Sequence, residues 1–160
     1  MSYLVFKKGE FWRSRATIRV RNVKVFKLWK FRRVLSSERY IKKSRVLVLE
    51  GGKGVGKSRE LVKFFTNCEA VYGAEGVFIP CPESLENWFK RAGLSNDDLK
   101  GLRQFEKVRL LIERCKGKVV FLDDIDKVDS KVKLEALKWL IRVSKAVVVR
   151  AVFPCFVCEF

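Results

Sequence analysis

The sequence has no histidine, and its cysteines do not form a pattern typical of a metal site. The five cysteines are Cys68, Cys81, Cys115, Cys155 and Cys158, and only the last two form a C-x-x-C pair. A structural zinc ion needs four ligands, which one such pair does not supply. An odd number of cysteines also argues against a disulfide framework. We therefore expect the C-x-x-C pair to be buried or unremarkable.

Long apolar runs are also missing. No uncharged stretch approaches the roughly 18 apolar residues that a membrane-spanning helix needs. The N-terminal sequence MSYLVFKKGE lacks the apolar stretch and the cleavage site of a secretory signal. We therefore expect no transmembrane segment and a cytoplasmic location. A length of 160 residues allows one domain and a short extension.

Acidic residues are scarce at the start of the chain. Residues 1–44 contain fourteen Lys and Arg against two acids, a net charge of +12. Residues 45–160 contain twenty-one bases against sixteen acids, a net charge of +5. The excess of +17 is therefore concentrated in the N-terminal segment and predicts a polyanionic partner, either nucleic acid or an acidic membrane surface.

Aromatic residues are interleaved with these bases. They include Phe6, Phe11, Trp12, Phe26, Trp29 and Phe31. Bases attract phosphates, and aromatic rings stack on unpaired nucleobases, so nucleic acid is the leading expectation for the partner. Two alternatives stay open: a small β unit with an aromatic core, and a segment that lies on a membrane surface. No base-reading motif is present, so low sequence specificity is expected.

Apolar periodicity divides the chain into two parts. In the first part, Ile18 and Val20 alternate with Arg19, which predicts strands and a hairpin that turns near Arg21 and Asn22. Beyond it, short apolar runs suited to strands buried on both faces alternate with amphipathic stretches. This alternation predicts an α/β fold with a parallel sheet. We assign residues 1–44 to a small basic, β-rich extension and residues 45–160 to the core.

The stretch GGKGVGKS follows the first of these buried runs directly. It matches G-x-x-x-x-G-K-[ST], the pattern of a phosphate-binding loop. Glycines allow the backbone to wrap closely around a phosphate, and the amides of such a loop bind anions. Lys57 is expected to reach the β- and γ-phosphates, and Ser58 to ligate Mg²⁺. The predicted nucleotide-binding residues are Gly51, Gly52, Lys53, Gly54, Val55, Gly56, Lys57, Ser58 and Arg59.

A second motif, VVFLDDID, ends another apolar run in carboxylates. A buried strand would deliver Asp123 to the carboxyl edge of the sheet, where ligands bind in open α/β folds. A carboxylate at that edge is suited to Mg²⁺, so Asp123 and Ser58 are the predicted metal ligands. Asp124 follows at once and is expected at the same edge. Asp126 is predicted to be a cap or turn residue.

Together the two motifs resemble the Walker A and Walker B motifs of AAA+ and STAND-like P-loop ATPases. The resemblance extends from about residue 45 to residue 150 and implies a three-layer sandwich that uses ATP and Mg²⁺. It implies catalytic roles for Lys57, Asp124 and Arg150, the last as a sensor of the γ-phosphate at the end of the fourth strand. It also implies a possible homo-oligomer, in which Arg142 is one candidate for an arginine finger.

The sequence departs from this family at its C-terminus. Only ten residues follow Arg150, so the core is expected to lack the final strand and the helical lid. A second sensor arginine, which the lid would supply, is therefore not expected. We expect a strand of the N-terminal extension to occupy the sheet edge where the family's last strand would lie.

Two other functions stay open. LEGGKGVGKS is similar to the loop of thymidylate kinase and its deoxynucleoside kinase relatives, which typically place Asp-Arg after the third strand. This chain has Asp123 and Asp124 there, and the added carboxylate would repel an anionic acceptor, which favours hydrolysis. The other alternative is a nucleic-acid-binding module with a nucleotide switch that does not hydrolyse its ligand.

Overall fold

The computed structural model describes residues 2–7, 15–20, 23–27, 45–50, 57–151 and 155–159. The strands in these residues are β1 (Ser2–Lys7), β2 (Arg15–Val20), β3 (Val23–Lys27), β4 (Val46–Glu50), β5 (Gly76–Pro80), β6 (Val119–Asp123), β7 (Ala146–Ala151) and β8 (Cys155–Glu159). The α-helices are α1 (Lys57–Thr66), α2 (Cys68–Tyr72), α3 (Leu85–Arg91), α4 (Asn96–Leu99), α5 (Gln104–Cys115) and α6 (Lys131–Val143), and a 3₁₀ turn spans Ile125–Lys127. No helix in this part of the chain is long and apolar enough to cross a membrane.

A five-stranded parallel sheet forms the centre of the molecule, in the order β3-β4-β7-β6-β5. Helices cover both of its faces, because α1 and α2 pack in one hydrophobic cluster and α3, α5 and α6 pack in another. The predicted α/β class with a parallel sheet is therefore confirmed. The strand at the edge beside β4 is β3, so the expectation that an N-terminal strand joins the sheet edge is also confirmed.

The central strands are continuous apolar runs because both of their faces are covered. In β4, Val46 and Val48 belong to the cluster beneath α3, α5 and α6. Leu47 and Leu49 belong to the opposite cluster, beneath α1 and α2. Successive side chains of a strand point to opposite faces, so a strand between two helical layers needs an apolar residue at every position.

A second, antiparallel sheet has the order β2-β1-β8. It joins the N-terminal strand β1 to β8, which contains the C-x-x-C sequence. The predicted hairpin is wrong, because β2 pairs with β1 whereas β3 pairs in parallel with β4. Ile18 and Val20 of β2 are buried in the same cluster as α6, so the segment that contains them packs on the core.

Trp88 of α3 and Lys133 of α6 connect the turn after β5 to the helical layer. Trp88 is fully buried, and its indole Nε1 donates a hydrogen bond of 2.8 Å to the carbonyl of Pro80. Lys133, only 6% exposed, lies 5.6 Å from the centre of the Trp88 ring. Its ammonium donates to the Cys81 carbonyl at 3.3 Å and pairs with Asp129 at 2.9 Å. This buried charge is therefore compensated on three sides.

Trp88→Phe is expected to lower the free energy of unfolding by about 1–3 kcal/mol. The smaller ring leaves the Pro80 carbonyl without its indole donor and leaves space beside Lys133. Trp139→Phe is the matched control: Trp139 is 46% exposed, so its change is expected to stay within about 0.5 kcal/mol. Urea denaturation of both variants measures the difference. Equal losses would show that the buried contacts of Trp88 do not stabilise the fold.

Candidate functional site

The carboxyl ends of β4, β7 and β6 lie side by side at one edge of the central sheet. In the parallel register Leu49 of β4 is opposite Arg150 of β7, and Leu122 of β6 is opposite Val149. The chain leaves β4 towards helices on one face of the sheet and leaves β6 towards a helix on the other. β7 lies between these two strands, and open α/β sheets bind ligands outside the carboxyl ends of strands where the connections change face in this way.

The predicted phosphate loop begins at this edge. β4 ends at Glu50 and α1 begins at Lys57, so the buried strand and the helix that the loop pattern requires flank it on both sides. Residues 51–56, which include Gly51, Gly52, Lys53, Gly54, Val55 and Gly56, lie outside the described residues. Lys57 and Ser58 form the first turn of α1, and Arg59 is exposed. The ligand contacts of this whole stretch stay predictions.

Helix α1 is fixed on the sheet by its apolar face. Leu61 and Phe64 are buried against Leu47, Leu49 and strands β6 and β7. The helix is thus held against the carboxyl halves of these strands, with its N-terminal end towards the carboxyl edge. The unpaired amides and the dipole at such an end favour an anion.

Three charged side chains meet where β6 and β7 end. Asp123 is the last residue of β6, and Arg150 lies near the end of the neighbouring β7. The Arg150 guanidinium forms ion pairs with the carboxylates of both Asp123 and Asp124. The side chains are 16% (Arg150), 20% (Asp123) and 17% (Asp124) exposed, so the cluster is largely shielded from water. The structure thus brings together three residues predicted from separate stretches of sequence.

Asp124 has a backbone conformation that turns the chain sharply. Its φ of 53° and ψ of 50° are left-handed, which Asp adopts more readily than most residues with a side chain. It precedes the 3₁₀ turn Ile125–Lys127, in which the Lys127 amide donates to the Asp124 carbonyl at 2.9 Å. Asp126 lies within that turn, as predicted. The turn allows two consecutive carboxylates to contact one guanidinium.

Burial raises the pKa of Asp123, because the carboxylate loses water as it packs at the strand end. Two charges act on the same group in opposite directions: Arg150 lowers the pKa and Asp124 raises it. Asp123 Oδ1 and Arg150 Nε are in contact as an ion pair, although their alignment is not that of a hydrogen bond. Asp123 therefore holds a proton to a higher pH than an exposed aspartate does.

The donor set at this edge fits a magnesium ion shared with a nucleotide. No group of three or more His, Cys, Asp or Glu side chains able to hold a metal occurs in the described part of the chain. Mg²⁺ in nucleotide sites uses one or two carboxylates and completes its shell with phosphate oxygens and water. Asp123 can supply such a carboxylate when its Oδ1 leaves the Arg150 guanidinium, and the Ser58 hydroxyl stays the predicted second ligand.

Arg142 is not part of this cluster. It is the penultimate residue of α6, four residues before β7 begins, and so lies at the opposite, amino edge of the sheet. Its guanidinium stacks on the exposed ring of Trp139, with 4.8 Å between Cζ and the ring centre. Arg142 therefore does not reach the Asp123–Asp124 pair of its own chain. The helical spacing of Trp139 on α6 is also that of a core position, so its spacing does not predict that it is 46% exposed.

No protein-family model matches this chain, and no curated protein matches it significantly. A function must be argued from the geometry and chemistry of a site in any case, because one fold supports many functions. The cluster at the carboxyl edge is therefore the basis for the proposal that follows.

Proposed function

We propose that the protein is a P-loop ATPase that binds ATP with Mg²⁺ and hydrolyses it. The observation that supports this most is the contact of Arg150 with Asp123 and Asp124 beside the end of β4, where GGKGVGKS begins. Phosphate loop, acidic pair and cation thus come from three adjacent strands. Positioning and electrostatic stabilisation account for most of the catalysis in phosphoryl transfer, and these groups supply both.

The loop and α1 bind the triphosphate in this proposal. The amides of residues 51–58 surround the phosphates, and the Lys57 ammonium contacts the β- and γ-phosphates. Ser58 and Asp123 would hold Mg²⁺, which neutralises charge on the phosphate oxygens when it is bound. Asp124 orients a water molecule for attack in line with the leaving oxygen.

Arg150 changes partners in the proposed cycle. Without nucleotide it pairs with two adjacent carboxylates in a largely shielded site. A bound γ-phosphate competes for the same guanidinium, because it brings additional negative charge to the end of β7. Once Arg150 contacts the phosphate, Asp124 loses its cation and accepts a hydrogen bond from water. The contact with the substrate and the release of the water-orienting group are thus linked.

The pH dependence of the reaction follows from Asp123. Its raised pKa means that protonation, which prevents metal binding, begins at a higher pH than for an exposed aspartate. We expect kcat/KM for ATP with Mg²⁺ to fall as the pH is lowered towards that pKa. The same group affects folding in the opposite direction: the folded state holds the proton more tightly, so stability from Asp123 increases as the pH falls.

A pH profile of phosphate release, measured beside urea denaturation at each pH, separates these effects. If activity falls with pH while the urea midpoint does not, the loss is due to protonation at the site and not to unfolding. Asp129 provides the internal comparison, because a hydrogen bond from Lys133 lowers its pKa and it gives up its proton earlier. A rate that stays flat down to the pH of an ordinary aspartate would contradict the assignment of Asp123.

Calorimetric titration with ATP and Mg²⁺, followed by a phosphate-release assay, tests the proposed function. We expect binding that depends on Mg²⁺ and steady release of phosphate. Transfer of phosphate to thymidine monophosphate, without release to water, would identify the kinase instead. Binding without turnover would identify a nucleotide switch. Absence of binding for every purine triphosphate would exclude all three.

The proposed partner of the cycle is nucleic acid bound by residues 1–44, whose net charge is +12. Counterion release would make this binding weaken steeply as salt is raised. A homo-oligomer in the cytoplasm is the proposed setting, in which Arg142 could contact the site of a neighbouring copy. Stimulation of phosphate release by DNA or RNA, tested at several salt concentrations, measures the coupling.

A further inference from the structure

The amino edge of the central sheet carries a basic surface that the proposed ATPase cycle does not use. We define the amino-edge surface as Lys116, Lys118, Trp139, Arg142 and Lys145. Two backbone hydrogen bonds join the turns that hold it: Gly117 N to Val143 O at 3.2 Å, and Lys145 N to Lys118 O at 2.8 Å. The ends of α5 and α6 are therefore side by side.

Charge at this edge is predominantly positive. Lys116, Arg142 and Lys145 are exposed, and Lys118 is part-buried. Lys118 pairs with Glu75 at 3.4 Å, and the Lys145 ammonium donates to the Tyr72 carbonyl at 2.8 Å. No ion pair is described for Lys116 or Arg142 in the part of the chain that the structure covers. Glu69 on α2 and Glu113 on α5 are further exposed acids on helices that end at this edge.

Helix capping does not explain Arg142. Bases at a helix C-terminus commonly stabilise its last carbonyls. In α6 that role belongs to Arg45, whose guanidinium donates to the carbonyls of Ile141, Arg142 (3.0 Å) and Ser144 (3.2 Å). The side chain of Arg142 instead lies over the Trp139 ring. The pair thus places an indole that is 46% exposed beside a guanidinium at the surface.

We propose that the amino-edge surface binds single-stranded nucleic acid, with one base stacked on Trp139 and phosphates against Lys116 and Arg142. Base stacking on exposed aromatic rings combined with a basic track is the way single strands are bound without sequence preference. The surface lies one strand length, roughly 16 Å, from the Asp123 cluster. It is therefore a binding site separate from the ATP site, and it needs neither nucleotide nor hydrolysis.

The test is binding of a fluorescent thymidine 20-mer to the full chain without nucleotide, followed by anisotropy and by quenching of tryptophan emission. Trp139→Ala is expected to weaken binding about tenfold. The double variant Lys116→Gln with Arg142→Gln is expected to reduce the slope of log affinity against log salt by about two. Quenching of tryptophan emission in the wild type should exceed that in Trp139→Phe, because this substitution removes the indole that stacks on the base.

The controls remove equivalent groups elsewhere. Phe105→Ala deletes an aromatic ring that is 59% exposed at the other end of α5, and Arg109→Gln removes an exposed base on the same helix. Both are expected to bind as the wild type does. Equal losses in control and test variants would overturn the proposal, as would absence of binding in low salt. Trp139-dependent binding to anionic vesicles but not to the oligonucleotide, or Trp139-dependent self-association in sedimentation, would also overturn it.

Discussion

Lys57→Ala is expected to slow phosphate release from ATP roughly 100- to 1,000-fold. The ammonium at this position is proposed to contact the phosphates on which charge accumulates as the γ-phosphoryl group departs. An interaction that strengthens in the transition state affects the chemical step more than substrate binding. The main change is therefore expected in kcat, with a smaller rise in KM.

A second lysine on the same helix provides the matched control. Lys63 is exposed near the end of α1, so Lys63→Ala removes the same group from the same element away from the site. We expect it to retain wild-type kcat and KM. Steady-state phosphate release by both variants, with calorimetry to measure ATP affinity, distinguishes lost catalysis from lost binding. Equal activity of Lys57→Ala and the wild type would refute the phosphate-loop assignment, even if ATP still bound.

Much of the fold could be predicted from sequence because burial on both faces leaves a simple signal. Runs such as Val46–Leu49 and Val119–Leu122 have no polar position, which suits strands between two helical layers. The pairing of the other strands was harder to predict from the sequence. Alternation around Ile18 indicated a strand but did not show that β2 pairs with β1 while β3 joins the other sheet. Such pairing depends on partners that are distant in sequence. The most distant pair is β1 with β8, which joins the two ends of the chain.

The carboxyl-edge cluster was predictable residue by residue but not as a set of contacts. Asp123 and Arg150 each follow an apolar run, which places them at strand ends. That one guanidinium pairs with both carboxylates depends on β6 and β7 being neighbours and on the left-handed turn at Asp124. Sequence spacing contains neither fact. Sequence spacing also does not show that Arg142 lies at the opposite edge of the sheet, where its guanidinium stacks on the Trp139 ring.

Arg150→Gln is expected to lower the free energy of unfolding of the nucleotide-free protein by roughly 2–3 kcal/mol. The substitution leaves two adjacent, largely shielded carboxylates without their cation, and breaking such a pair costs more than the pair itself contributes. The value is below that for full burial because each side chain retains 16–20% exposure. Phosphate release is expected to fall as well, since the proposed contact with the γ-phosphate is lost.

Magnesium distinguishes a metal site from an ordinary structural ion pair at Arg150. In the variant, Asp123 and Asp124 are available to a cation that the guanidinium otherwise excludes. Millimolar Mg²⁺ is therefore expected to restore more stability to Arg150→Gln than it adds to the wild type, because only a species that binds the folded state stabilises it. KCl at the same ionic strength controls for screening, and Arg109→Gln controls for loss of one positive charge. If Mg²⁺ and KCl raise the urea midpoint of Arg150→Gln equally, the two carboxylates do not form a cation site, and the proposed role of Asp123 is wrong.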